Sequence, residues 1–167
     1  MVVVTRIISR LIALALLGAV SIGHAQAAST TVSVSANVVK PLEFTKKQDL
    51  NFGQILLTAG PSTVSISMAG MVTCGAGLTC TGAPRQAIFN VAGTNGQVVR
   101  ITAVASDLTN STDGSKIRYT PVAPASVTLT NSGAPGKDFG VGGSIAISAT
   151  TTDGTYAGDI VITAEYQ

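Results

Sequence analysis

Apolar and polar residues alternate over the last fourteen positions of the chain, in the sequence GTYAGDIVITAEYQ. Every second position is apolar or glycine, and the set comprises Gly154, Tyr156, Gly158, Ile160, Ile162, Ala164 and Tyr166. Successive side chains of a strand point to opposite faces, so this period of two predicts a β-strand with one buried face. We therefore expect the chain to end on a strand that contributes its apolar face to a core.

A second alternating segment lies at residues 31–39, where Val32, Val34, Ala36 and Val38 would share one face. Shorter β-branched or alternating runs follow between turn residues, at residues 42–45, 50–56, 63–73, 87–92, 97–105, 116–120, 126–130 and 144–150. No segment after residue 27 shows a helical period of ten or more residues. Short strands between turn signals predict an all-β fold, an immunoglobulin-like antiparallel β-sandwich of about eight strands. A closed barrel is the alternative that this pattern leaves open.

The N-terminus has the order of regions typical of a secretory signal peptide. Arg6 and Arg10 precede or border the apolar run LIALALLGAV at residues 11–20, and small residues follow, with Ala-Gln-Ala at residues 25–27. This order predicts a signal peptide over residues 1–27. The apolar run is shorter than the roughly 20 residues that a spanning helix needs, so we expect cleavage and no stable membrane span. Residues 28–167 would then form a single exported β-sandwich domain.

Removal of residues 1–27 changes the chemistry that the chain can offer. His24, the single histidine, is lost, and ten basic residues become eight, which balances the eight acidic ones. Nucleic acids and anionic membranes both require a basic patch on their partner. A neutral, sparsely charged chain is therefore not expected to bind nucleic acid.

Cys74 and Cys80 are the two cysteines of the chain, separated by GAGLT. Cysteines of exported proteins usually pair, and this spacing is unlike the Cys-x-x-Cys of redox sites. A metal site usually needs four ligands, and no histidine remains to complete one. We expect a structural disulfide between Cys74 and Cys80 and no metal site.

The sequence does not indicate a catalytic site. Without histidine, neither a Ser–His–Asp nor a Cys–His arrangement is available. Acid–base chemistry would depend on eight scattered carboxylates, at Glu43, Asp49, Asp107, Asp113, Asp138, Asp153, Asp159 and Glu165. The glycine-rich run at residues 140–144 lacks the lysine of a phosphate loop and precedes a predicted strand, so we interpret it as a turn. We expect a protein that is not an enzyme and that has no cofactor.

Three stretches in order carry a resemblance to known domains. They are DLNFGQI at residues 49–55, AIFNVAG at residues 87–93 followed by Gly96, and the terminal alternation from Gly154 to Tyr166. Together they resemble the exported bacterial family named domain of unknown function 4402 and, more distantly, spore-coat protein U-like domains and chaperone–usher pilins. The resemblance implies an immunoglobulin-like sandwich with a fibre-forming role, at the periplasm or cell surface of a Gram-negative-type bacterium. It transfers no catalytic residue.

Chaperone–usher pilins end in a strand that has a glycine fourteen residues from the end and a penultimate tyrosine. By this resemblance Gly154, Tyr156, Ile160, Ile162, Ala164 and Tyr166 form a docking strand, which a periplasmic chaperone would cover before assembly. Residues 31–39 would be a donor strand, with Val32, Val34, Ala36 and Val38 filling a groove in a like subunit. Pilins commonly join their first two strands by a long-range disulfide, and the short Cys74–Cys80 spacing departs from that pattern.

Two interpretations of function follow from these observations. In the first, the protein is a structural, pilin-like subunit that polymerises by donor-strand exchange. In the second, it is a self-contained secreted binding module of the adhesin or glycan-binding type, with Tyr119, Phe139 and the loops near Gly75 and Gly142 as its candidate site. The alternation of residues 31–39 is the same whether this segment pairs within its own domain or with a neighbour, so the sequence leaves that choice open.

Overall fold

A computed structural model describes residues 27–167, and the predicted signal peptide lies outside these residues except for Ala27. Residues 37–167 form one compact unit. The described part of the chain contains no helix and has thirteen strands. They are Glu43–Gln48 (β1), Gln54–Leu57 (β2), Ser62–Ile66 (β3), Val72–Cys74 (β4), Leu78–Thr81 (β5), Ala87–Ala92 (β6), Val98–Val104 (β7), Ser106–Asn110 (β8), Lys116–Val122 (β9), Ser126–Thr128 (β10), Lys137–Ile147 (β11), Tyr156–Ala157 (β12) and Val161–Tyr166 (β13).

The strands form three antiparallel sheets. The largest has the order β1-β6-β11-β9-β8-β12, with β3 added to β11 and β4 added to β3. A second sheet has the order β10-β7-β13, and β2 pairs with β5 in a two-stranded sheet. The predicted all-β, sandwich-like antiparallel architecture is confirmed, although the strands are shorter and more numerous than the expected eight.

One group of buried side chains, which we call the first core, lies between the β3, β11 and β9 strands of the large sheet and the β2–β5 pair. It comprises Phe52, Val64, Ile66, Ile117, Tyr119, Ile145 and Ile147. Tyr119 is fully buried, and its hydroxyl donates a 2.6 Å hydrogen bond to the backbone carbonyl of Gly142. Burial disfavours the ionised form and raises the pKa of Tyr119 to about 12. The ring of Phe52 meets Tyr119 edge-on, with 6.1 Å between ring centroids.

A separate group, the second core, comprises Val91, Val99, Ile101, Val127 and Leu129. It lies between the β10-β7-β13 sheet and the β1-β6-β11 end of the large sheet. Half-buried apolar side chains surround it, namely Leu42, Phe44, Ala123, Phe139, Ile162, Ala164 and Tyr166. Five of these seven come from β1, β13 and the residue before β1, so the second core has its open rim along those two strands.

Two predicted elements are wrong in detail, and in both cases a glycine explains the difference. The predicted strand at residues 63–73 is a hairpin of β3 and β4, because Gly70 has a φ of 83° and Ser67 N–H bonds Met71 C=O at 2.8 Å across the turn. The predicted turn at residues 140–144 lies inside β11. There a Cβ on Gly142 would collide with the backbone carbonyl of Ile66, so glycine serves close strand packing.

Candidate functional site: an open seam between two edge strands

The final strand has an unpaired outer edge. Within the described residues β13 pairs with β7 alone. Gln167 N–H donates a 3.0 Å bond to Val98 C=O, one step beyond the Tyr166–Val99 register position. Hydrogen-bonded positions alternate along an antiparallel pair, so Thr163 bonds β7 whereas Ile162 points its N–H and C=O away from β7. The same reasoning leaves the N–H and C=O groups of Ala164 on the open side.

Strand β1 forms the opposite edge. It pairs with β6 alone among the described residues, and its inward side chains Leu42 and Phe44 contact the second core. Phe44 stacks with Phe89 of β6 and Phe139 of β11, at centroid distances of 5.3 Å and 6.1 Å. Three of the four phenylalanines of the chain therefore form one stack, and all three are only half-buried. An unusually large part of the aromatic surface of this protein lies at this rim.

A hydrogen bond at one end and a weak charge interaction at the other indicate that β1 and β13 run antiparallel to each other. At one end the Tyr166 hydroxyl donates to the backbone carbonyl of Lys40 at 3.0 Å. At the other end, the Asp159 carboxylate is near enough to Lys46 to contribute to raising its pKa. The separation at the first end is spanned by a tyrosine side chain and not by a backbone hydrogen bond. We call the space between these two edges, floored by the second core, the seam.

A closed set of hydrogen bonds holds the Tyr166 end of the seam, and we call it the Lys40 clamp. Lys40 N–H donates to Thr94 Oγ1 at 2.6 Å, Thr94 N–H donates to the Tyr166 hydroxyl at 2.9 Å, and that hydroxyl donates to Lys40 C=O. Gly93 is buried beside the tyrosine, and a Cβ at this position would collide with the Tyr166 hydroxyl. Both backbone polar groups of Lys40 are therefore engaged at the point where the chain enters β1.

The Lys46 end is charged and exposed. Lys46 Nζ lies 2.7 Å from Asp49 Oδ1, and the hydrogen bond to Asp49 is the main cause that raises the pKa of Lys46. On the outer face of β1, Lys47 Nζ contacts both oxygens of Asp138 on β11, at 2.7 Å and 2.8 Å. Asn90 of β6, which lies between those strands, also donates to Asp138. Bonding to Lys47 and then to Asn90 lowers the pKa of Asp138.

The structure divides the residues predicted to form one docking strand. Gly154 and Tyr156 belong to the β12 region, which pairs with β8 in the large sheet, and the Tyr156 hydroxyl bonds Ser115 Oγ at 2.9 Å. Ile160 packs against the first core. Ile162, Ala164 and Tyr166 alone of this set border the second core and line the seam. The chain crosses from one sheet to the other between β12 and β13, so the single long strand expected from the alternation is wrong.

The predicted donor strand has no strand structure. The described residues before β1 carry no β-pairing, and Val32, Val34 and Val38 are 81%, 92% and 85% exposed. Ala36 is also exposed. The strand predicted at residues 31–39 is therefore not formed by pairing with any of residues 27–167. We refer to residues 31–39 as the leader; this segment is separate from the signal peptide predicted at residues 1–27.

The remaining predicted positions lie around the first core, except Phe139, which borders the second core. Cys74 of β4 and Cys80 of β5 form the expected disulfide. Tyr119, named above for a binding surface, is fully buried, and Phe139 belongs to the aromatic stack at the seam. Gly142 is buried as well. The surface proposed from sequence for a binding module is thus wrong for Tyr119 and Gly142, because both lie inside the fold.

Comparison with known proteins shows the family of this domain. The sequence model of the Domain of unknown function (DUF4402) family matches residues 42–166, from the residue before β1 to the end of β13. The chain belongs to the DUF4402 family. No curated protein and no solved structure matches it. Within the DUF4402 match lie both edges of the seam and the residues of both cores, whereas the leader lies before it.

Sequence reasoning missed several residues of the seam in this DUF4402 domain. The stack of Phe44, Phe89 and Phe139 joins three strands that are far apart in sequence, and no local pattern indicates it. The Lys40 clamp likewise joins positions 40, 94 and 166. The available signal was the alternation of Leu42 and Phe44 with polar residues, which predicts an inward face for the start of β1.

No group of three or more His, Cys, Asp or Glu side chains lies close enough to hold a metal ion in the described part of the chain.

Among residues 27–167, no helix has the length and apolar character needed to cross a membrane.

Proposed function

We propose that this protein is a non-enzymatic, exported structural subunit that assembles by strand addition. The leader of one copy enters the seam of the next, between β1 and β13. The observation that carries this proposal is the match between an unfilled edge and an unpaired strand-like segment in the same chain. Ile162 and Ala164 offer free backbone groups on one side, and the leader has exposed valines at alternate positions on the other.

The chemistry of the two partners is complementary. An added strand would bond the open backbone groups of β13, which supplies affinity, while its alternate side chains would enter the apolar floor of the seam. The inward side chains of the leader are small, three valines and one alanine. They suit the shallow floor of the seam, which is formed by half-buried phenylalanine and alanine. No charged residue occurs in the leader, so no charge would be buried with it.

The proposal also requires protection of the seam before assembly. An unpaired, apolar-lined strand edge is a template for aggregation. A periplasmic chaperone that adds its own strand to β13 would provide that protection, and it is the partner class that we propose beside like subunits. Export to the periplasm or cell surface would follow from the signal peptide predicted at residues 1–27.

The test compares three versions of the chain that begins at residue 28. Size-exclusion chromatography with light scattering would measure the mass of each. The first version is unaltered and the second lacks residues 28–39. The third keeps residues 28–167 but has serine in place of Val32, Val34 and Val38. We expect a ladder of oligomers for the first and folded monomers for the other two. The proposal is wrong if the unaltered chain is a monomer at every concentration, or if the shortened chain forms the same ladder.

A synthetic peptide of residues 28–39 provides the complementary test. Added to the shortened chain, it should protect the Ile162 and Ala164 amides from hydrogen exchange, whereas the Thr163 amide should be protected throughout by β7. Absence of new protection at Ile162 and Ala164, with a peptide concentration well above that of the protein, would exclude the seam as the binding site.

A further inference from the structure

We propose that the Lys40 clamp keeps the leader out of the seam of its own chain, so that the seam stays free for another copy. This inference rests on the proposed function. It assigns a regulatory role to Lys40, Thr94 and Tyr166, which lie at the junction between the leader and β1. Without such a device, a segment tethered next to a groove that it fits would fill that groove first, because its effective concentration there is high.

The route by which the leader could enter its own seam is narrow. The leader ends at residue 39, and three residues separate it from β1, which forms one wall of the seam. A leader strand lying parallel to β1 would need a crossover of a dozen or more residues, and only residues 40–42 separate the two segments. An antiparallel hairpin with a tight turn at those residues is therefore the route that remains.

The clamp opposes that hairpin at its turn. Residues 37–42 carry no turn in the structure. Pro41 has a restricted φ and biases Lys40 towards an extended conformation. The N–H of Lys40 is bonded to Thr94 Oγ1 and its C=O accepts from the Tyr166 hydroxyl, so reversal of the chain at this point would break both bonds.

The surroundings of the clamp hold Tyr166 in the bonding position. Its ring borders the second core, and its hydroxyl is also bonded by the N–H of Thr94. Gly93 leaves the space that the hydroxyl occupies, since a Cβ there would collide with it. The clamp is thus anchored to the β6–β7 loop and to β13 at the same time, and both anchors belong to the compact unit.

The experiment uses the chain that begins at residue 28 and two single substitutions, Tyr166→Phe and Thr94→Val. Each removes one bond to Lys40 and leaves an apolar group of nearly the same shape. Since one hydrogen bond changes an equilibrium by roughly tenfold, we expect the ratio of monomer to oligomer to rise about tenfold in each variant. The matched control is Tyr156→Phe, which removes a tyrosine hydroxyl bonded to Ser115 and Thr152, outside the clamp.

Hydrogen exchange at Ile162 and Ala164 identifies how the seam is filled. In the unaltered chain, protection of these amides should fall on dilution, because the leader comes from another copy. In the two clamp variants the amides should stay protected in the monomer at every dilution, because the leader comes from the same chain. The Tyr156→Phe control should behave as the unaltered chain does.

The outcomes separate the clamp from the proposed function. If the clamp variants keep the oligomer ladder and the dilution-dependent protection of the unaltered chain, the clamp has no such role and strand addition stands. If they become monomers with unprotected amides, Lys40 contacts are needed for assembly and the inference is overturned. If the unaltered chain is already a monomer with amides protected at every dilution, self-filling occurs despite the clamp and both proposals are wrong.

Discussion

The two cores of this domain contain similar aliphatic and aromatic side chains but differ in what surrounds them. The first core lies under β3, β9 and β11 and has the β2–β5 pair over it, and Tyr119 at its centre is fully buried. The second core has β1 and β13 as its rim, and neither strand pairs on its outer side within the described residues. The second core is therefore bordered by two strands that each keep one unpaired side within the described residues.

This difference indicates where stability resides and where assembly can occur. Buried side chains in a well-surrounded core contribute most to the free energy of unfolding, because their removal leaves a cavity. Half-buried side chains at an open rim contribute less in the isolated chain and more when a partner covers them. Four tests probe this comparison, in order of decreasing expected effect on stability.

Tyr119→Ala should have the largest effect. Truncation of a fully buried aromatic residue typically costs about 3–5 kcal/mol of the free energy of unfolding, and it also leaves the Gly142 carbonyl without its donor. Urea unfolding followed by circular dichroism would measure the change. Tyr119→Phe is the control, with an expected loss of about 1–2 kcal/mol because it removes the hydroxyl alone. Equal losses for the two variants would show that ring packing is unimportant.

Removal of the disulfide should have the next largest effect. Cys74 and Cys80 are six positions apart and join β4 to β5, which lies next to the first core. In the chain-entropy treatment a loop of this size contributes about 2 kcal/mol. The double substitution Cys74→Ser with Cys80→Ser should lower the free energy of unfolding by that amount, as measured by urea unfolding, and leave leader binding at the seam unchanged. Loss of peptide binding in this variant would contradict the separation of the two cores.

Phe44→Ala should weaken leader binding more than it lowers the stability of the isolated chain. The ring is half-buried and stacks on Phe89 and Phe139 at the rim of the seam. We expect a loss of about 1–2 kcal/mol in the isolated chain, below the range for a fully buried aromatic residue, with a larger relative loss in affinity for the 28–39 peptide. Urea unfolding and peptide titration would be measured on the same variant. A loss of stability equal to that of Tyr119→Ala would mean that the seam is as closed as the first core.

Acidification should have the smallest effect on stability. It acts on Asp138, which bonds Lys47 on the outer face of β1. The pKa of Asp138 is lowered by Lys47 and Asn90, so the folded state favours its ionised form. The stabilisation is present above the usual carboxyl pKa and is lost as the pH falls through the lowered folded value. Asp138→Asn should therefore be less stable than the unaltered chain at neutral pH, with the difference disappearing in acid.

Lys47→Met is the partner variant for this pH test. Because the two groups bond each other directly, the double variant should lose less stability at neutral pH than the two single changes added together. Thermal unfolding at several pH values would measure each difference. An additive result would show that Asp138 acts through Asn90 and not through Lys47.

Some features of this protein follow from the sequence by itself. Alternation with period two indicates where strands can form, and the absence of a helical period after residue 27 indicates an all-β fold, because side-chain direction in a strand depends on local backbone geometry alone. The spacing of the two cysteines and the signal peptide predicted at residues 1–27 indicate the Cys74–Cys80 pair. The inward faces of Ile162, Ala164 and Tyr166 also follow from local alternation.

Other features were decided only by the tertiary structure. Alternation cannot distinguish a strand that is paired on both sides from one that is paired on one side, because pairing depends on residues far away in the chain. The residues from Gly154 to Tyr166 therefore read as one strand, although they are shared between two sheets. Residues 31–39 have the same pattern and form no strand, since no strand in the described part of the chain bonds them. The seam, the aromatic stack and the Lys40 clamp exist only where distant segments meet.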